Sequence, residues 1–240
     1  MRSPHPACLL IFQFLCLFPL VATATKDEGG LINGTVTYED GKPAEDATIY
    51  ADPLGRSLGA IIPHANSDES EHFSIHLARS WFGDFAVAAE KQDEDYPNMS
   101  QQFYSDGKFR IVTLSANQPT QAVVIQLGPK AGVLQGTVTD AFTNAPLNPC
   151  VEFRRASEPN NFLSGSGLVK PRYKLLVPSD TDVLFAIYLD GYKTWYFPNT
   201  VVRTKREPVR LKPGEKKIID IRLEPDASAK SGCPSAINSR

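Results

Sequence analysis

Neither charge sign dominates this sequence. Its 25 basic side chains face 27 acidic ones, for a formal net charge of −2. That balance offers no basic footprint for nucleic acid and no polybasic patch for an anionic membrane. Histidine is scarce, with four in 240 residues, and only His64, His72 and His76 lie beyond the N-terminal leader. Cysteine is as rare, also four, and Cys8 and Cys16 fall within that leader. Helical periodicity is missing too: no segment keeps a 3.6-residue period for more than two turns, which excludes a helical bundle.

The leader is the one long apolar run. Arg2 precedes LLIFQFLCLFPLV at 9–21, and Ala22-Thr23-Ala24 follows with small residues where a signal peptidase reads. This predicts a secretory signal peptide over 1–24, a secreted or periplasmic protein, and no transmembrane segment after its removal. The run is shorter than the ~20 apolar residues of a spanning helix. Cys16 is not preceded by the small residues of a lipidation site. Cys150 and Cys233 then remain. Cys150 sits in an apolar strand-like run and Cys233 in a polar tail, so a buried thiol and a loose one are expected in preference to a disulfide.

What is abundant is repetition. Leu31-Ile32-Asn33-Gly34-Thr35-Val36-Thr37 aligns with Val133-Leu134-Gln135-Gly136-Thr137-Val138-Thr139. Asp40-Gly41-Lys42-Pro43 aligns with Thr143-Asn144-Ala145-Pro146, and Ala47-Thr48-Ile49-Tyr50 with Cys150-Val151-Glu152-Phe153. The ends, 111–127 and 208–223, also correspond. A unit of ~95 residues has been duplicated, a period too long for a solenoid.

Inside each unit the period is two. Ile32, Gly34 and Val36 share one face, as do Leu134, Gly136 and Val138. A glycine inward in both copies predicts close approach of the facing sheet, or a bulge. Further strand-like runs are expected at 72–77, 84–90, 109–114 and 121–127, and then at 150–154, 172–177, 182–189, 200–203, 208–211 and 217–223. Short strands broken by Gly, Pro, Asn and Asp predict an all-β chain of two tandem antiparallel seven-stranded β-sandwiches, at 29–128 and 131–225. The tail, 226–240, has little to bury and is expected to be disordered.

These residues resemble a known family. The series GTVT…DGKPAEDATIY, Phe73-Ser74-Ile75 and Gly83-Asp84-Phe85-Ala86-Val87-Ala88 is similar to the carboxypeptidase regulatory-like domain. Copy two carries GTVTD, YKLLVPSDTDVLFAIYLDGYK and LKPGEKKIIDIRLEP. The resemblance implies a transthyretin-like (prealbumin-like) sandwich, and it brings no catalytic residues. Copy one departs from it in lacking the Gly191-Tyr192 pair, and copy two in placing Cys150 where a small alanine is usual.

Chemistry-bearing clusters are few. His72 and His76 lie on an alternating segment, and four residues along a strand span ~13 Å, too far for one zinc with ligands at ~2.1 Å. Ser164-Gly165-Ser166-Gly167 has no strand-to-helix context and no histidine in its own copy. Asp93–Pro97 and Ser67–Ser70 lack calcium-loop spacing. Asn33 and Asn98 begin glycan-acceptor patterns. No catalytic residue, metal or cofactor is therefore expected, and the chain is not expected to be an enzyme. The candidate contacts are aromatic: Trp195, Tyr196 and Phe197, with Trp81. Three consecutive aromatics cannot all point into one core. The expected role is an interaction or structural module at the cell envelope, its partner an envelope or extracellular protein. The alternative is a carbohydrate-binding module that uses the aromatics of the second copy.

Overall fold

The structure is a computed structural model that describes residues 29–55, 62–78, 81–105, 109–158 and 170–230. The expected signal peptide, the Ser164–Gly167 loop, Cys233 and the tail beyond residue 230 lie outside these residues.

Alternation sets the inward faces. In β1 (Leu31–Thr37), Ile32 and Val36 are fully buried, and in β4 (His72–His76) Phe73 and Ile75 turn inward while His72, Ser74 and His76 face water. The first copy adds β2 (Thr48–Pro53), β3 (His64–Asn66), β5 (Gly83–Glu90), β6 (Arg110–Leu114) and β7 (Thr120–Gln126). A three-stranded sheet, β4-β1-β7, packs over a four-stranded one, β3-β2-β5-β6. Between them lies a core that includes Ile49, Phe85, Leu114 and Ile125.

The second copy repeats the plan. β8 (Gly132–Asp140) pairs with β10 (Arg172–Val177) on one side, and on the other with β13 (Lys216–Ile218) and β14 (Ile221–Leu223). The facing sheet is β9 (Cys150–Arg155), β11 (Val183–Tyr188) and the short β12 (Trp195–Tyr196). No strand forms at 200–203, where a 3-10 turn, Arg203–Lys205, begins. The run 208–211 contributes a single bridge, Val183 to Val209.

The fold is all-β, and its pairings are antiparallel with one refinement per copy. The closing strand runs parallel to the first: β7 along β1, and β13 with β14 along β8. This explains the repeated glycine. A side-chain carbon at Gly34 would overlap the carbonyl of Val123, its neighbour in β7, and one at Gly136 would overlap the carbonyl of Ile219. The close approach comes from the adjacent strand of the same sheet, not from the facing sheet as alternation alone suggested. In copy two this closing strand breaks at Ile219 and Asp220. The Asp220 carboxylate replaces a ladder acceptor there, taking bonds from Thr137 N (2.9 Å) and Thr137 Oγ1 (2.7 Å).

Two more expectations are corrected. Cys150 is disulfide-bonded and not a free thiol; an isolated strand run cannot report what its cysteine meets. The tail is also held farther than its composition implied. Asp226 N donates to Gly191 O (2.8 Å) and Gly191 N donates to Ala229 O (2.9 Å), so the turn that ends β11 captures the chain as far as Ala229.

Candidate functional site

The aromatic candidates do not converge. Trp195 is buried at 4% exposure in the second core, edge-on to Phe185 at 5.6 Å, and its Nε1–H donates to Asn199 Oδ1 at 2.8 Å. The indole is thus part of the second core and not exposed as a contact residue was expected to be. β12 pairs with β11 so that Trp195 faces Ile187 in register, which turns the indole toward the core. Tyr196 and Phe197 are half-buried. Phe197 packs on the same core, under Lys217 Nζ at 5.1 Å from the ring centre, and a cis peptide bond joins it to Pro198. Trp81 is half-buried against the first core.

The polar candidates have structural partners. Asp68 Oδ1 accepts from Ser70 N and His72 N, closing the β3–β4 turn. Asn98 is buried, and its Oδ1 accepts from Ser100 N at 2.8 Å. Among the described residues no group of three or more His, Cys, Asp or Glu could hold a metal ion.

Two features remain, and neither was singled out by the sequence. The first joins the copies through the segment after β5. A 3-10 turn, Gln92–Glu94, ends at Asp95 in the left-handed region (φ 69°), and a single helical turn, Gln102–Ser105, follows. Phe103, which precedes the second copy in the chain, is fully buried in the second copy's core, 4.9 Å from the Phe153 ring. Its carbonyl accepts from Arg155 Nε at 2.9 Å, and Tyr104 Oη donates to Leu176 O at 3.1 Å. Burial pushes the Tyr104 phenol up to about 12, with Glu90 adding to the shift. Asp95 meets Lys174 at 2.6 Å and Lys216 at 3.6 Å, both from the second copy, and its carbonyl accepts from Ala131 N at 2.8 Å. Lys130 Nζ sits 5.0 Å from the Tyr96 ring centre.

The second feature is a cleft of about 520 Å³ at the open side of the first sandwich. β6 and β7 follow one another through a tight turn, with Ser115 bridged to Gln118, yet they belong to different sheets. They therefore splay apart away from the turn. Val87, Ala89, Val124 and Leu127 line the gap, and Glu39 and Arg110 bring charge to it.

No protein-family model matches the chain, and no curated protein does. Solved structures similar to it include the Bacillus anthracis TIE protein, at 14% identity over 82% of this chain and 34% of that one, with TM-score 0.31. A streptococcal ancillary pilin matches at 13% identity over 82% of this chain and 62% of that one (TM-score 0.28). GBS52, the minor pilin of Streptococcus agalactiae, matches at 9% identity over 84% and 98% (TM-score 0.33). The chain thus spans about a third of the first protein's length and under two thirds of the second's. Similarity at this level assigns no family.

Proposed function

We propose that this chain is a secreted or periplasmic, non-catalytic protein in which two sandwiches of the carboxypeptidase regulatory-like kind act as one rigid structural or interaction module at the cell envelope. One observation carries the reading. Two domains in series normally move relative to each other unless a sizeable apolar contact holds them. Here Phe103, contributed by the connection between β5 and β6 of the first sandwich, completes the second core. Asp95 from the same segment is clamped by Lys174 and Lys216. A module that must present a surface at a set distance and orientation needs this kind of coupling. The strand-and-turn framework supports the family assignment, and among the described residues no helix is long and apolar enough to cross a membrane. With Trp195 in the core, the carbohydrate reading loses its leading residue.

Differential scanning calorimetry of the secreted chain and of Phe103→Ala tests the proposal. The expected result is one cooperative transition in the parent chain, and two separated transitions with a broader small-angle scattering profile in the variant. Two independent transitions in the parent chain, unmoved by Phe103→Ala, would overturn it.

A further inference from the structure

Exposed sheet edges invite pairing with other chains, and proteins blunt them by keeping them short, charged or broken. Among the described residues the sheet edges follow that rule at every position but one. β3 has three residues and β12 two; β6 carries Arg110; β9 carries Glu152, Arg154 and Arg155; β10 carries Arg172 and Lys174. β4 has five residues with a histidine at each end. β7, TQAVVIQ, is the longest edge strand among those described, at seven residues, and has no charge, proline or glycine.

The duplication supplies an internal control. The strand in the same place in copy two is split into β13 and β14, and it reads Lys216-Lys217-Ile218-Ile219-Asp220-Ile221-Arg222-Leu223. One copy protects its closing edge by charge and by a break. The other leaves the equivalent edge intact and apolar. On that side Val124 is 65% exposed and Ile111, on β6, 56% exposed. The cleft opens beside Val124–Leu127.

The geometry points to β7 as a self-pairing edge, where a second copy of this chain adds its own β7 antiparallel about a two-fold axis. The occupant follows from the chemistry. A strand without charge has nothing that selects a foreign sequence, and laid against itself it opposes no like charges. Because the contact is isologous it consumes both edges, so the assembly closes at a dimer. The rigid-module proposal and this one are independent: a monomer leaves the former standing, and a flexible chain leaves the latter standing.

Sedimentation equilibrium of the full secreted chain tests the pairing. A dimer is expected, weakened at least about tenfold by Val124→Lys, which gives β7 the charge its counterpart carries. Val124 is exposed, so unchanged circular dichroism and melting are expected and separate lost pairing from lost folding. A chain still monomeric at about 100 µM, far above the Kd of a specific interface, would overturn the proposal. So would an open-ended polymer, or a dimer indifferent to Val124→Lys.

Discussion

Asp95 Oδ1 lies 2.6 Å from Lys174 Nζ, which joins a carboxylate of the first copy to an ammonium group of the second. Burial pushes the Asp95 carboxyl up, but Lys174 and then Lys216 outweigh it and hold it below its usual value. A depressed carboxyl stabilises the fold fully above its unfolded pKa of ~3.9, and the contribution is lost as pH falls through the lower folded value. Both lysines are about half exposed, which lowers the worth of the pairs. Asp95→Asn should therefore cost ~1–2 kcal/mol near neutral pH. In urea unfolding the gap between parent and variant should close as pH drops below about 4. A gap unchanged at about pH 2 would remove the carboxylate's charge from the account.

Gly34 and Gly136 face carbonyls and not side chains, so substitution there cannot be absorbed by a rotamer change. Alanine at either position should push the closing strand off the first and cost ~1–3 kcal/mol or more. Thermal unfolding of the two single variants checks this. A loss under ~0.5 kcal/mol, the range of an ordinary surface change, would mean that the strand can slide.

For Trp195 the expected phenotype is structural. Trp195→Ala removes a buried indole and strands the Asn199 acceptor, at ~3–5 kcal/mol, while Tyr196→Ala next to it should cost far less. Chemical denaturation of both variants decides. A stable Trp195→Ala protein that had lost only a glycan-binding activity would revive the carbohydrate reading.

Cys150 is disulfide-bonded at the start of β9, and cross-links of this kind contribute ~2–4 kcal/mol. Reductant should lower the melting midpoint of the parent chain and leave that of Cys150→Ser unchanged. Equal sensitivity in both would place the stabilisation elsewhere.

Much of the fold was legible because its signal is local. Period-two alternation over 31–37, 72–76 and 172–177 marks strands wherever they occur, and aligning the copies located their equivalents. Local signals fail where the deciding neighbour is distant. Trp195-Tyr196-Phe197 shows that one aromatic must leave the core but not which one; the register of β12 on β11 chooses Trp195 for the inside. Phe103 sits in a segment with no periodicity at all, and only the second core identifies it as a core residue.

The sequence alone determined an all-β chain, its internal repeat and the inward residues of β1, β4 and β8, because side-chain alternation and turn chemistry act within a few residues. Tertiary structure decided the parallel closing strands, the carbonyls that require Gly34 and Gly136, the clamp on Asp95 and the unprotected edge of β7. Each of these depends on which distant segment lies alongside, and that is settled only when the sheets pack.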